Sequence, residues 1–567
     1  MKYSKRYIFF TAVLIVAILL KFYVTSQTYV GIDQFRGASL SATDWNPMIA
    51  QSVNEKRLHA TIDNKEFTNE DQSIYMDDNL NIMIDTTVLR DSFNCSVHLY
   101  DAQKLLVEKY SDQLTLTMNQ TVADFDNEPV DILSPMIVHD GRSYVPMQIV
   151  AEKLGYSYTW DIEKNEVTAA NISGETNILP ASYDLRQKGR NAEVKNQGNR
   201  GTCWAFAALT ALETSLLPEE REVFSTDHMS LSNSFSTQGN EGGQYTMSMA
   251  YLMGWQGPVL EQDDPYDGVT VDGLSPVKHV QEAQIIESKN LDKIKEAVFK
   301  YGGVQSAIYS TLKNAESRSS FYNSQTNAYC YMGQEKPNHD VVIIGWDDNY
   351  SKDNFSMALE GDGAFICQNS WGSEFGSDGV FYVSYYDTNI GVHNVVYTDI
   401  ESTDNYARIY QSDLCGWVGQ LGYNKDNVYG ANVYTAQSDE TVEAAGFYAT
   451  GKNTEFQIWI VPQFQSGDSL AKGQKVADGK VENAGYYTIS FTKGIHVAAG
   501  EKFAVVIQLI TPDSVHPLAI EYAADESTAG VDLSDGEGYI SPQGTNWEHV
   551  EETQNCNLCL KAYTKER

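Results

Sequence analysis

Cysteine is scarce in this chain, with seven in 567 residues. That density excludes a disulfide-built scaffold, and the odd count leaves a thiol free after any pairing, Cys203 being the natural candidate. Cys556 and Cys559 form a lone Cys-x-x-Cys with no second pair and no histidine cluster to complete a tetrahedral site. His98 and His139 lack partner ligands at useful spacing, so neither a metal nor another cofactor is expected. Cys95, Cys330, Cys367 and Cys415 read as small core residues or disulfide partners. Basic residues are also short, 40 against 76 acidic, for a formal charge of −36. That balance excludes nucleic acid and anionic lipid as partners and suits a solvated exterior. Long apolar runs are absent beyond Val24. The single run, Tyr7 to Leu20 behind Lys2, Lys5 and Arg6, predicts a targeting segment over residues 1–26. It is a signal peptide with small residues at Val24-Thr25-Ser26, or a signal anchor that keeps the chain on the membrane. Either way the rest of the chain is expected outside the cell, secreted or at the surface.

What is present is globular: 42% apolar and 11% aromatic residues, enough chain for three domains. The most informative stretch is Val194-Lys195-Asn196-Gln197-Gly198-Asn199-Arg200-Gly201-Thr202-Cys203-Trp204-Ala205-Phe206. Ala205 to Leu217 carries good helix formers and is stopped by Pro218, which places Cys203 in a first helical turn. Unpaired N–H groups and the helix dipole there favour a thiolate. The Gln197 amide and the Cys203 backbone N–H can converge on the oxyanion formed when sulfur attacks a carbonyl. A thiol nucleophile also needs a base and a group to orient it. His339 stands before the strand-like run Val341-Val342-Ile343-Ile344, and Asn369 follows the apolar run Ala364 to Cys367, within Gln368-Asn369-Ser370-Trp371-Gly372.

In these motifs the sequence resembles the papain family of cysteine peptidases over about residues 178–400, beginning with Leu179-Pro180-Ala181-Ser182-Tyr183-Asp184, which is similar to a mature N-terminus. The resemblance implies a two-lobed α+β fold with Cys203 as nucleophile, His339 as proton-transfer partner, Asn369 orienting the imidazole and Gln197 in the oxyanion hole. It also implies substrate-binding roles for Gly242 and Gly243, whose segment pairs with the substrate backbone, for Trp371, and for Asp340 in the pocket next to the scissile residue. The polar loop Asp347 to Gly363 accounts for a long spacing between His339 and Asn369. Two departures stand out. Arg200 and Asn240 occupy the positions where the family bridges two cysteines, and Asp340 replaces a residue that is usually small and apolar.

The flanks carry weaker signals. Residues 27–59 read as a linker, and residues 60–172 contain a weak repeat in which Met83-Ile84, Val88-Leu89, Phe93 and Val97 return as Tyr144-Val145, Ile149-Val150, Leu154 and Tyr158. The second copy is similar to the copper amine oxidase N-terminal-like module of bacterial surface proteins, which implies a stalk, spacer or pro-region. From 405 to 565 strand-like runs such as Phe456 to Val461 alternate with Gly, Asn and Asp turns, which predicts a β-sandwich. This part resembles the lectin-like domain of some bacterial surface enzymes. Trp417, Tyr434 and Trp459 are its candidates for stacking on a cell-surface glycan, or else ordinary core aromatics. The expected fold class is α+β: a papain-like two-lobed domain, preceded by a small α+β repeat module and followed by a β-sandwich. Two functions compete, an exported cysteine endopeptidase acting on proteins or peptides, and an inert peptidase fold serving as a surface adhesin or carbohydrate binder.

Overall fold

The computed structural model describes residues 57–566, except 64, 71, 101–102, 111, 140–141, 173–178, 237–241 and 535–536. The targeting segment, nearly all of the expected linker, and Asn240 lie outside the described residues. No described helix is long and apolar enough to cross a membrane. The chain divides into two compact units, one of residues up to 88 with 132–172, the other of 89–131 with the rest.

The first unit holds two four-stranded sheets. In one, His59–Ile62 lies parallel to Glu166–Asn171 and antiparallel to Lys65–Thr68. In the other, the strands Ile82–Asp85 and Arg142–Pro146 pair antiparallel, with Val145 opposite Ile84 and Pro146 opposite Met83. These are the matching strands of the sequence repeat. Each is followed by a helix, Thr86–Phe93 or Met147–Lys153, and then by a strand, Ser96–Tyr100 or Tyr156–Asp161. The first copy's last strand, however, opens a five-stranded meander, Ser96 to Asp131, that belongs to the second unit.

The meander is held there by specific polar contacts. Leu99 N donates to Glu219 Oε1 at 2.7 Å, Tyr100 Oη to the Lys188 carbonyl at 3.1 Å, and the buried Glu108 pairs with Lys188 at 2.7 Å. Glu219 follows the C-terminus of the helix Cys203–Leu216. At 1.5 Å per residue that end is about 20 Å from Cys203, so the meander braces the far end of this helix rather than covering its start. His98, at the meander's edge, is buried with Nε2 2.7 Å from Ser96 Oγ, and burial pushes its pKa well below the usual imidazole value.

The helix Cys203–Leu216 is the axis of the second unit. It has no glycine, proline or charge except Glu213, and its side chains are buried almost all round, as expected of a helix enclosed by other elements. It packs on the helix Tyr245–Met253 and on the strands His339–Asp347 and Val395–Glu401. Those strands belong to a 13-stranded sheet. Its first part runs through Val380–Ser384, Ala364–Gln368, His339–Asp347, Val304–Ile308, Val395–Glu401 and His279–Ile285. There it passes directly into the C-terminal part, because His279–Ile285 pairs antiparallel with Ala484–Val497, with Ala283 opposite Tyr486 and Gln284 opposite Gly485. Gly485 has φ +146°, and a Cβ there would lie 2.2 Å from the Ala283 carbonyl, so the junction requires glycine.

The C-terminal part is a sandwich. Its share of the long sheet (Ala484–Val497, Glu440–Ala449, Leu560–Glu566) faces a six-stranded sheet containing Thr454–Val461, Lys502–Ile510 and Asn427–Thr435. Tyr434 is one of the core aromatics, its hydroxyl on the Leu560 carbonyl, while Trp417 and Trp459 are only partly buried. The apolar cores also merge, since Tyr448, Tyr486, Ala519 and Cys559 pack in the same cluster as Trp204, Tyr251 and Trp346. All seven cysteines are unpaired.

Ending the chain at residue 404 would leave His279–Ile285 as an open edge and strip apolar cover from the central core. Such a truncation is expected to lower the thermal midpoint of the remaining chain by about 10 °C or more, or to yield aggregate. A soluble fragment melting with the full-length protein would show that the junction adds nothing.

Candidate active site

Cys203 starts its helix, partly exposed, behind Thr202. The Thr202 carbonyl accepts from Ala205 N and Phe206 N at 3.0 and 3.1 Å, closing the first turn. The surroundings do not by themselves favour the thiolate. Burial, and then the Asp340 carboxylate, push the Cys203 pKa up to about 12, against the pull of the backbone N–H groups of Asp340, Trp204 and Cys203. His339 is the first residue of its strand and is buried. Burial pushes its pKa down to about 4, opposed by its hydrogen bond to Asn369.

That bond, His339 Nε2 to Asn369 Oδ1 at 2.8 Å, determines the imidazole's chemistry. Asn369 Oδ1 also accepts from Ser370 N at 2.8 Å, which identifies it as the carbonyl oxygen. Nε2 therefore carries the proton, and Nδ1 is left as the basic nitrogen. Trp371 lies over the same ring, centroids 4.5 Å apart and planes 23° apart, which limits its rotation and excludes water. Asn369 is anchored by its own N–H to the Gly379 carbonyl at 2.9 Å.

Gln197 reaches the same place from the other side. Its N–H donates to the Ser370 carbonyl at 2.8 Å, its Oε1 accepts from Ser370 Oγ at 2.6 Å, and its Nε2 donates to the Arg200 carbonyl at 2.8 Å. Gly372 N on the Lys195 carbonyl and a bridge between Asn196 and Trp371 complete a seam between residues 195–197 and 370–372. Behind it, the partly buried Lys195 pairs with the buried Glu213 at 2.6 Å, with Phe224 N donating to the same carboxylate oxygen at 2.9 Å.

In the Gly-Gly segment, Gly242 has φ +84° and open space where a side chain would be, and the exposed Gly243 lies directly on an indole: a Cβ there would be 2.5 Å from Trp204 Cε2. Asp340 stands opposite Ala307 in the sheet register and is partly exposed. Its Oδ2 accepts from Gln305 Nε2 at 2.9 Å, and that amide also donates to the Trp204 carbonyl at 3.2 Å. Burial pushes the Asp340 pKa up to about 6, with the Gln305 bond pulling it down. The structure thus gathers Cys203, His339, Asn369, Gln197, Trp371 and Asp340 around the start of one helix, with Gly243 against Trp204 beside it. Sequence reasoning missed Ser370, which bonds Gln197 twice, and Tyr266, whose hydroxyl donates to the Gln197 carbonyl at 3.0 Å. Ser370 sits inside a recognised motif, whereas nothing local marks Tyr266. Among the described residues no three His, Cys, Asp or Glu side chains converge as a metal site.

Residues 179–400 match the model of the papain family cysteine protease, residues 409–564 that of the lectin-like domain, and residues 61–169 that of the copper amine oxidase N-terminal domain. Mouse pro-cathepsin H is 28% identical over 240 residues, 41% of this chain and 68% of its own length. Bovine cathepsin S is 30% identical over 210 residues, 35% of this chain and 59% of its own. Among solved structures, the clostridial cysteine protease Cwp84 after propeptide cleavage is 25% identical with a TM-score of 0.59, covering 68% of this chain and 99% of that one. A structure of the cysteine protease and lectin-like domains of Cwp84, a surface layer associated protein of Clostridium difficile, aligns with the same TM-score at 24% identity, covering 68% of this chain and 89% of that one.

The contact of Gly243 with Trp204 is testable by stability alone. Gly243→Ala forces the indole or the backbone to shift and is expected to cost about 1–3 kcal/mol, read as a lower thermal midpoint. An unchanged midpoint would mean that the indole gives way freely.

Proposed function

Residues 179–400 being a papain-family cysteine peptidase domain, we propose that this chain is an exported endopeptidase that hydrolyses protein substrates through Cys203, His339, Asn369 and Gln197. The observation that carries the reading is the His339 Nε2 to Asn369 Oδ1 bond, which leaves Nδ1 to take the thiol proton. At rest, burial disfavours each charge separately. Transfer of the proton from sulfur to Nδ1 creates thiolate and imidazolium together, and each offsets the desolvation of the other.

The thiolate then attacks the peptide carbonyl, and the resulting oxyanion is met by the Cys203 N–H and the Gln197 amide. The His339 imidazolium gives its proton to the departing amine, leaving a thioester. Water, deprotonated by the same imidazole, hydrolyses it and restores the thiol. Gly242 and Gly243 offer backbone to the substrate chain, and Trp371 shields the imidazole. The targeting segment, together with the surface location named for the similar Cwp84, supports a site of action outside the cell, with the N-terminus removed or kept as an anchor. The C-terminal sandwich supports a carbohydrate ligand only at the level of its domain family.

Cys203→Ala is expected to abolish peptide hydrolysis and labelling by an epoxysuccinyl inhibitor, with the fold retained. Asn369→Ala removes orientation but not the nucleophile, so a loss of about 10–100-fold is expected. Near-native turnover by Cys203→Ala, or a wild-type protein that the inhibitor does not label, would leave the inert-scaffold reading standing.

Asp340 supports a preference for a basic side chain one position before the scissile residue, its carboxylate pairing with lysine or arginine beside Ala307. Because its pKa is raised to about 6, the charge is present above that pH and lost below it. The ratio of kcat/KM for an arginine peptide over its leucine analogue is therefore expected to rise about tenfold as pH increases through 6, and to stay flat in Asp340→Ala. A ratio that is the same in both proteins at every pH would remove Asp340 from the pocket.

A further inference from the structure

Where the resemblance puts a cross-linking cysteine, this chain has Arg200, and the structure assigns that arginine to a different device. Arg200 Nη1 lies 3.1 Å from Asp227 Oδ1, and the guanidinium sits 4.7 Å above the ring of Tyr266. The Asp227 side chain is 1% exposed, so its charge has to be met inside the protein, and Oδ2 also accepts from Asp267 N at 2.7 Å and from Gly268 N. Those two donors follow Tyr266 directly in sequence. Gly268 has φ +96°, and a Cβ there would lie 2.1 Å from Arg200 Nη2, so the loop closes around the guanidinium only as glycine. The circuit returns to the active site through one hydroxyl. Tyr266 Oη donates to the Gln197 carbonyl at 3.0 Å and is 2.7 Å from Thr202 Oγ1, while its ring packs edge-on against Phe206 at 4.8 Å.

We propose that Arg200, Asp227 and Tyr266 form a non-covalent clamp that positions the Gln197–Thr202 loop, so that the Gln197 amide and the Cys203 N–H keep the spacing an oxyanion requires. A single phenol ties the residue carrying the amide to the residue preceding the nucleophile, and the ion pair fixes the phenol. Within the loop, Gln197 Nε2 donates to the Arg200 carbonyl and Arg200 N to the Gln197 carbonyl, but neither bond reaches Thr202; without the phenol the spacing of the two donors is free to drift, and misplacement by about 1 Å costs about 100-fold in rate. Tyr266 is a positioning residue: it touches neither sulfur nor imidazole. This rests on the peptidase reading above, since it assigns the loop a role in turnover.

The test is Tyr266→Phe, which keeps the ring under Arg200 and deletes only the two hydroxyl bonds. Arg200→Ala is avoided because it leaves the buried Asp227 uncompensated and threatens folding. In the full-length protein, kcat per inhibitor-titrated site on a peptide substrate is expected to fall about tenfold, with KM within about twofold, the thermal midpoint nearly unchanged and iodoacetamide alkylation of Cys203 unaffected. Amide hydrogen exchange over residues 198–202 is expected to accelerate. Native kcat per titrated site overturns the clamp even if exchange accelerates, because the loop's order would then be irrelevant to turnover. Unchanged exchange overturns it whatever the rate. A wild-type protein without turnover refutes the peptidase reading instead, and the exchange measurement still decides whether the hydroxyl holds the loop.

Discussion

The seam between residues 195–197 and 370–372 is the constraint on which the site depends. Cys203 rides on a helix, His339 on a sheet strand and Asn369 just past the end of another, so no local sequence preference sets their separation. Backbone bonds from Gln197 and Gly372, with Ser370 Oγ on the Gln197 amide, hold the two together. The same amide that we propose meets an oxyanion is thus also part of the structural fastening. Two contacts support it: the Lys195–Glu213 pair fixes the first seam segment, and the Gly379 carbonyl fixes Asn369 just before the second.

A second consequence concerns where the domains end. His279–Ile285 would be a sheet edge in an isolated peptidase domain, yet here it pairs with Ala484–Val497, and aromatic residues from both sides share one core. The C-terminal sandwich is therefore part of the tertiary structure around the helix that carries Cys203 rather than a module on a tether. The meander from Ser96 to Asp131 supports the other end of that helix through Leu99, Tyr100 and Glu108.

The electrostatics of the site are set by burial rather than by the net charge of −36: burial is the largest influence on Cys203, His339 and Asp340, keeping the thiol and the imidazole neutral at neutral pH and raising the Asp340 pKa to about 6. The helix N-terminus alone does not overcome that desolvation. What offsets it is a second charge of opposite sign, which is why the orientation of His339 by Asn369 and Trp371 matters as much as the position of the sulfur.

The sequence by itself singled out the candidate site, one thiol, one imidazole and two amides, because Cys203, His339, Asn369 and Gln197 each lie in a short motif whose residue types have few other uses together. It also determined the strand–helix–strand repeat, since Met83-Ile84 and Tyr144-Val145 carry the same apolar pattern, and the two strands indeed pair. It did not determine where the repeat's first copy belongs, since Ser96–Tyr100 has the same local pattern whichever unit it joins. Nor did it show that Asp340 is held by Gln305, that Tyr266 ties Gln197 to Thr202, or that Arg200 meets Asp227. Those pairings join residues tens of positions apart whose types are ordinary surface residues anywhere else. Local periodicity records which residues prefer a helix, a strand or burial, but a long-range contact between polar side chains leaves no period in the sequence, so only the folded chain decided how this site is held.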